Sequence, residues 1–298
     1  MNLLRDTSWD ALLAFAEFAE DGNFTRAAAR LNISQPALHT KIARLAEALQ
    51  SSLYVRHGRR IEITDTGRKV QRFAREMAAA TQEFEGELLG KKGVRPAVLA
   101  AGEGSYLYLL GEAIRAHRAA SKHPLQLQTA DRHMALDAVT STRAHLGVAS
   151  LEAVPAELSA QPLTRVGQML ALPTSHPLAS RRTVRLKDLR GADLIVPPET
   201  RPHRTMLSRM LQSERVEWNV AVEAAGWELM LEFVRLGLGL AVVNECCRLP
   251  RGVVGRPMPE LPSLQYFVFH LDKQLSTPAA ELKQRLLAFG DSWKKRNG

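Results

Sequence analysis

Three short helical segments follow one another closely between residues 8 and 50. Apolar residues recur at helical spacing over 8–21, and Gly22–Asn23 interrupts the pattern. Thr25 is expected to open a short alanine-rich helix that continues to residue 31. Ser34 can cap a third helix, and Pro36 stands in its first turn, where the missing N–H costs nothing. The spacing predicts that the second helix braces the third.

A basic hairpin and a long helix are predicted next. Residues 53–56 and 61–64 favour two short strands around the glycine-containing turn 57–60. Thr64 can then cap a helix over about 65–89, which ends at a hinge-like stretch rich in glycine and lysine over 90–93. Because typical helices have about 11–12 residues, this length indicates a coiled-coil-like element that pairs two chains.

Positive charge is concentrated in this part of the chain. Residues 24–75 contain eleven Lys and Arg against three Asp and Glu, a net charge of +8 in a chain whose total is +9. A protein that binds the phosphate backbone of DNA requires such a local excess of positive charge. A helix braced by a second helix, with a basic hairpin beside it, is a suitable shape for the major groove. The pattern predicts a winged helix-turn-helix that binds double-stranded DNA.

Two segments of the sequence resemble one known protein family. Residues 23–42 read NFTRAAARLNISQPALHTKI and residues 53–67 read LYVRHGRRIEITDTG. Together they resemble the N-terminal domain of LysR-type transcriptional regulators over about 65 residues. A shorter stretch, LGLGLAVVN at 236–244, is similar to a segment of the family's second domain. The chain departs from the family pattern at His39, Ala46 and Gln50, which leaves the preferred operator sequence open.

The resemblance implies roles for individual side chains in the DNA interface. Base edges would be read from the first turns of the third helix, with its later cations nearer the DNA backbone. Thr25 and Ser34 would bond phosphates or cap helices, and the arginines of the hairpin would contact phosphate or a minor groove. The expected DNA-binding residues are Thr25, Ser34, Gln35, Pro36, His39, Thr40, Lys41, Arg44, Arg56, Arg59 and Arg60.

Beyond residue 93 predicted strands and helices alternate. Strands are expected at 94–101, 125–129 and 146–149, and then at 166–172, 194–196, 220–222, 240–243 and 266–270. Helices are expected at 106–119, 133–141, 203–213, 227–236 and 277–295. This alternation predicts a mostly parallel α/β sheet.

The expected fold is α+β and multidomain. Residues 1–64 would form the winged helix-turn-helix and residues 65–92 a linker helix that makes the dimer. Residues 93–298 resemble the family's effector domain, which has two lobes like a type 2 periplasmic binding protein. The first lobe would take about 93–165 and 266–298, and the second about 166–265.

A small-molecule effector would bind between the lobes, where strand ends and helix N-termini meet. Arg201 and His203 beside a helix N-terminus suit an anion, whereas Glu103 and Glu228 do not. The net charge of +7 over residues 93–298 mildly favours an anionic ligand. The candidate effector-binding residues are Gly102, Gly104, Ser105, Tyr106, Asp131, His133, Arg201, His203 and Trp227.

Other classes of protein fit less well. The chain lacks the nucleophile-elbow, phosphate-loop, zinc-protease and dinucleotide motifs, and its nine His residues are scattered. No enzymatic activity, metal or cofactor is therefore expected. Cys246 and Cys247 could sense oxidants, although their apolar context favours packing. A regulator that responds to redox state or to no ligand, and a DNA-binding module without regulation, both remain open alternatives.

Assembly and location follow from the same expectations. Long helices would pair two chains, and effector domains would pair separately, giving a dimer or tetramer that bends DNA. Effector binding would then move the complex relative to RNA polymerase. With no apolar leader and no apolar run near the ~18 residues of a membrane helix, we expect a cytoplasmic protein without a membrane partner.

Overall fold

The computed structural model of the chain describes residues 8–58, 60–88 and 96–297. Two compact units divide it: Met1–Arg95 with Asp137–Ala144, and Pro96–Leu136 with His145–Gly298. Within the described residues, no helix combines the length and apolar composition that crossing a bilayer requires.

The first unit starts with three helices, α1 (Trp9–Phe18), α2 (Phe24–Arg30) and α3 (Gln35–Ala48). Side-chain oxygens of Ser8, Asn23 and Ser34 accept hydrogen bonds from backbone N–H groups in the three first turns. The expectation that Thr25 opens α2 is wrong, because Asn23 caps the helix and Thr25 lies inside it. Apolar faces of the three helices share one core, which includes Leu12, Phe15, Phe18, Phe24, Leu38, Ile42, Leu45 and Leu53.

The predicted hairpin and long helix are confirmed. Strands β1 (Tyr54–His57) and β2 (Arg60–Ile63) pair antiparallel, and α4 spans Asp65–Leu88. The Thr64 hydroxyl accepts from the Gly67 N–H at 3.0 Å, which caps α4 as expected. At Gly67 a Cβ atom would lie 2.1 Å from the Leu53 carbonyl oxygen, so only glycine fits where α4 crosses the strand.

Five strands form the first sheet of the second unit: β3 (Ala97–Ala101), β4 (Leu125–Thr129), β5 (Leu146–Ser150), β6 (Leu158–Val166) and β12 (Leu264–Leu271). Their order is β4-β3-β5-β12-β6. Helices α5 (Gly111–Ala120), α6 (Arg132–Thr140) and α9 (Thr277–Asn297) accompany these strands along the chain. Apolar side chains of β3, β5, α5 and α9 form the core of this lobe.

The second lobe contains two further sheets. Strand β7 (Gln168–Pro173) lies between β10 (Ala241–Asn244) and β11 (Val253–Pro257), and β8 (Asp193–Val196) pairs with β9 (Asn219–Glu223). Helices α7 (Pro202–Ser213) and α8 (Trp227–Arg235) follow β8 and β9. A parallel bridge between Leu194 and Leu240 connects the two sheets.

The expectation of a mostly parallel sheet is wrong. Among the described strands, β3–β4, β3–β5 and β8–β9 pair in parallel. Strand β12 runs antiparallel to β5 and β6, and β7 runs antiparallel to β10 and β11. The antiparallel strands are largely those on which the chain leaves one lobe and returns to it. Strands β6 and β11 were not predicted, and the expected helix over 106–119 is a π-helical turn at Ser105–Leu109 followed by α5.

Candidate DNA interface and effector cleft

The N-terminal half of α3 divides into a buried and an exposed face. Leu38 and Ile42 are buried in the core, whereas Gln35, Pro36 and Thr40 are exposed. This division follows from the 3.6-residue period of the helix. The exposed face therefore presents small and polar side chains next to the helix N-terminus, where a DNA groove can approach.

Local hydrogen bonds orient two of these side chains. The Thr25 hydroxyl donates to the Gln35 Oε1 atom at 3.3 Å, so α2 positions the first side chain of α3. The Thr40 hydroxyl donates to the Pro36 carbonyl at 3.0 Å, one turn earlier in the same helix. Gln35 keeps its amide hydrogens for an acceptor, and Thr40 offers a lone pair and a methyl group.

His39 is only partly available at this surface. Its ring stacks on Phe24 with centroids 3.6 Å apart and planes 13° from parallel. Burial, followed by the charge of Arg56, lowers the pKa of His39 below its ordinary value. The ring is therefore neutral at pH 7, and one of its faces is used to pack α2 against α3.

The cations of the surface differ in whether an acid already neutralises them. Lys41 forms an ion pair with Asp10 of α1. Among the described residues, no carboxylate is paired with Arg44, Arg56 or Arg60, and all three are exposed. Arg59, also predicted to contact DNA, lies outside the described residues.

A second candidate site is a cavity of about 230 Å³ in the second unit. The loop after β3 supplies one wall, and the segments that lead into α7 and α8 supply the others. Its lining includes Glu103, Gly104, Pro197, Arg201, His203, Trp227 and Met230. Two helix N-termini and the end of a strand thus converge on one small space, as in other α/β ligand sites.

Aromatic packing shapes this cavity. The Trp227 ring meets the His203 ring edge to face, with centroids 4.9 Å apart. A Cβ atom at position 104 would lie 3.1 Å from the Trp227 ring, so Gly104 lets the indole approach the first lobe closely. His203 is half-buried, and its burial lowers its pKa to about 4. His203 is therefore neutral at pH 7 and offers no positive charge to an anion in the cavity.

Five of the predicted effector contacts are not among the residues that line the cavity. The Tyr106 hydroxyl donates to the carbonyls of Leu99 and Gln128 and so stabilises the strands behind it. Asp131 accepts from the Met134 N–H and caps α6. The other three are Gly102, Ser105, which is buried, and His133, which is exposed.

Comparison with known families identifies the chain. Residues 9–68 match the family described as bacterial regulatory helix-turn-helix protein, lysR family, and residues 96–289 match the LysR substrate binding domain. The chain belongs to the LysR family. It is a LysR-type transcriptional regulator with an N-terminal helix-turn-helix and a C-terminal effector-binding domain, as the sequence predicted.

Individual relatives agree with this membership along nearly the whole chain. The RuBisCO operon transcriptional regulator of Allochromatium vinosum is 25% identical over 285 residues, covering 93% of this chain and 94% of that protein. The transcriptional activator CmpR of Synechocystis is 25% identical over 290 residues, covering 93% of this chain and 94% of that protein.

Solved structures share the fold of this LysR-type regulator. A full-length OxyR from Pseudomonas aeruginosa superposes with a TM-score of 0.66 at 20% identity, covering 95% of this chain and 94% of that chain. A full-length CbnR in complex with its target DNA gives a TM-score of 0.58 at 17% identity, covering 95% and 99%.

Two polar residues of the regulator's effector domain were not predicted from the sequence. Gln168 and Asn244 are almost fully buried, and the Gln168 Nε2 atom donates to the Asn244 Oδ1 atom at 3.1 Å. Gln168 Oε1 lies 3.2 Å from His203 Nε2, which links the pair to the cavity wall. The available signal was a polar residue at the end of an otherwise apolar strand, because buried polar groups need a specific partner.

One of the two adjacent cysteines of the LysR-type regulator lies in an environment that disfavours its thiolate. Cys247 is buried and Cys246 is half-buried. A hydrogen bond from the Cys247 thiol to Cys246, together with burial, raises the pKa of Cys247. Because the thiolate is the species that reacts with oxidants, this environment opposes the redox alternative.

Proposed function

We propose that the exposed face of α3 enters the major groove and that Gln35 reads a base edge there. The observation that carries this proposal is the Thr25–Gln35 hydrogen bond, which holds the Gln35 amide at the uncovered N-terminus of α3. A glutamine held in this way can donate to an acceptor on a purine edge. Pro36 and Thr40 lie beside it and can contact a thymine methyl group, while Ser34 caps the helix.

The hairpin and the end of α3 would bind the DNA backbone. Arg44, Arg56 and Arg60 are exposed and lack acidic partners within the described part of the chain, which supports phosphate contacts. Lys41 contributes less in this proposal, because Asp10 already neutralises it. His39 would act through its packing on Phe24 and through its ring edge, as a neutral side chain.

Helix α4 is proposed to pair two chains. Phe73, Met77 and Phe84 are exposed and lie on one face of the helix, at spacings of four and seven residues. Such a stripe on a helix of 24 residues is typical of a coiled-coil seam. We propose domains at 1–64, 65–92 and 93–298, with pairing of the last giving a tetramer on two half-sites.

The cavity in the effector domain is the proposed ligand site. Arg201 is exposed on its wall, and α7 begins without a side-chain cap, so a carboxylate could bind at both. Glu103 lines the same cavity and favours a ligand that also carries a hydrogen-bond donor. Occupancy would alter lobe closure, the footprint on DNA and contact with RNA polymerase.

We further propose that the protein performs no chemical reaction and acts in the cytoplasm. Its relatives are transcriptional regulators, and its target, chromosomal DNA, is found in that compartment. The test is a DNase I footprint of the full-length protein on upstream intergenic DNA, with and without small carboxylic acids. A protected site whose extent or bend changes with an acid supports the proposal. A complete lack of specific protection at moderate salt contradicts it.

A further inference from the structure

A chain of hydrogen-bonded side chains leads inward from the cavity wall. It begins at His203, whose Nε2 atom lies 3.2 Å from Gln168 Oε1. Gln168 Nε2 then donates to Asn244 Oδ1 at 3.1 Å. Asn244 Nδ2 donates in turn to the Tyr266 hydroxyl at 3.5 Å. The two amides are almost fully buried, where hydrogen bonds are strong and unmade ones are costly.

The direction of these bonds determines where His203 carries its proton. In this orientation of the Gln168 amide, its Oε1 atom faces His203 and can only accept, so His203 Nε2 is the donor. The neutral ring has a single N–H, and its Nδ1 atom therefore holds a lone pair. Burial keeps the pKa of His203 at about 4, so this neutral form is the one present at pH 7.

The Nδ1 atom is an acceptor in need of a donor. It is buried, and among the described residues no polar atom bonds to it. His203 is among the residues that line the cavity, and because Nδ1 is covered in the empty cavity, a bond to it requires neighbouring side chains to move aside when a molecule binds. Because a buried unpaired acceptor loses its bond to water without compensation, a ligand that donates to Nδ1 gains a strong preference over one that does not.

The rest of the cavity adds two charged groups and an apolar wall. Arg201 lies at the start of α7, and Glu103 belongs to the opposite lobe. Trp227 and Met230 cover one side with apolar surface. A ligand that carries only a carboxylate would satisfy Arg201 but would leave both Glu103 and His203 Nδ1 without a donor.

We infer that the cavity takes a small carboxylic acid that also bears a hydroxyl or amino group, which donates to His203 Nδ1. This inference rests on the proposed function of the cleft as an effector site. His203 is thus the residue that selects the effector. The hydrogen-bonded side chains from Gln168 to Tyr266 transmit the effect of binding to the first lobe.

The hydrogen-bonded chain also crosses between the lobes. Gln168 begins β7 and Asn244 ends β10, and these two residues are direct partners in the β-ladder. Tyr266 lies on β12 in the sheet of the first lobe. Turning over both amides would reverse these bonds and make His203 Nε2 an acceptor, so a ligand that donates to Nδ1 holds the bonds in the direction described. The effector is therefore sensed where the connecting strands join the two lobes.

Calorimetric titration of the full-length protein with matched probes tests the ligand class. The pairs are lactate against propanoate, and 4-hydroxyphenylacetate against phenylacetate, which differ by one hydroxyl group. We expect about tenfold tighter binding of the hydroxylated member in at least one pair. His203→Leu should abolish this preference, so that the two members of each pair bind this variant with equal affinity. Gln212→Leu, an exposed change on the same helix, should preserve the preference.

Three results would overturn the inference. One is equal or tighter binding of the deoxy member in both pairs, and another is binding of neither pair at millimolar concentration. The third is proton uptake on binding, measured in buffers of different ionisation enthalpy, because it would place a proton on Nδ1. A deoxy acid that binds and shifts the DNA footprint would contradict only this inference, whereas bound acids that leave the footprint unchanged would contradict the proposed effector role.

Transmission is tested at the far end of the chain. Tyr266→Phe removes one hydroxyl and leaves His203 and Gln168 in place. We expect this variant to retain the hydroxylated probe's affinity but to lose the probe-induced change in the DNA footprint. A footprint change equal to that of the unmodified protein would show that the hydrogen-bonded chain does not carry the signal. Gln168→Met interrupts the hydrogen-bonded side chains nearer the cavity, and it should likewise abolish the probe-induced change in the DNA footprint.

Discussion

Single side chains of the DNA interface differ in how much of their charge or hydrogen-bonding capacity the protein itself uses. Their identities and exposure could be predicted from the motif of residues 34–40. The ion pair between Lys41 and Asp10 could not be predicted from the sequence, because Asp10 lies 31 positions earlier and contacts Lys41 only in the folded unit. The same holds for the stacking of His39 on Phe24. Tertiary contacts thus decide which cations of this basic surface are already paired with an acid.

Arg60→Ala should weaken binding to all DNA sequences about equally. Because this arginine has no acidic partner in the described chain, its loss should reduce the slope of log K against log salt concentration by about 0.9. Lys41→Ala, which removes a paired cation, should change the slope much less. Fluorescence anisotropy across a salt series measures both. Equal slopes for Arg60→Ala and the unmodified protein would contradict the phosphate contact.

His203 should make stability fall as the solution is acidified. Its pKa is lowered by burial from 6.5 to about 4, so between these values the unfolded chain binds a proton that the folded protein refuses. The contribution of His203 to the free energy of unfolding is fully present above pH 6.5, and it decreases by about 3 kcal/mol as the pH falls to 4.

Urea unfolding at pH 7 and pH 4 isolates this contribution by comparing the unmodified protein with His203→Gln. Other histidines titrate in both proteins and cancel in the comparison. The variant should lose about 3 kcal/mol less on acidification. An identical loss in the two proteins would show that His203 is not held neutral by the fold.

The starts of α3 and α4 were predictable because caps are local, whereas those of α2 and α5 were predicted wrongly. Ser34 and Thr64 cap α3 and α4 as expected. Strands β6 and β11 were missed, since β6 contains Pro162 and β11 contains Gly255 and ends at Pro257, which lower strand propensity. Their pairing partners β12 and β7 lie far away in sequence. Only the tertiary fold supplies the ladder that makes them strands.

Gly67→Ala should destabilise the first unit by about 2–3 kcal/mol. The added methyl group would lie 2.1 Å from the Leu53 carbonyl oxygen and 2.7 Å from Ile63 Cγ2, so α4 would have to shift away from the hairpin. Gly111→Ala, at the start of α5, meets nothing within 4 Å and should leave stability unchanged or slightly higher. Thermal unfolding compares the two, and similar midpoints would contradict the close approach at Gly67.

Across the whole molecule, the regulator separates a DNA-binding part that sequence motifs describe well from an effector cleft that they describe poorly. Gly104, Arg201, His203 and Trp227, which were selected because they lie near strand ends and helix starts, line the cavity. Tyr106 and Asp131 follow the same rules, yet their polar groups are used inside the lobe. The position of a loop predicts that it lies near a cleft. The hydrogen bonds that a side chain already makes within the protein determine whether it is free to bind a ligand.

Phe84→Ser should weaken self-association through α4. Phe84 is 60% exposed in the single chain, and burying it against a second helix would contribute to dimer stability. We expect dimer affinity to fall by about tenfold or more, measured by sedimentation velocity. Glu85→Ser changes the neighbouring exposed position off the apolar stripe and should have little effect. Equal weakening by both substitutions would contradict a dimer seam on this face.

Selection of binding sites from random DNA tests base reading by α3. The full-length regulator should enrich a motif with two half-sites. Gln35→Ala should relax the preference at one position of each half-site while leaving affinity for non-specific DNA nearly unchanged. Enrichment of the same motif with the same strength by Gln35→Ala, or of no motif by the unmodified protein, would contradict the reading of DNA by the N-terminus of α3.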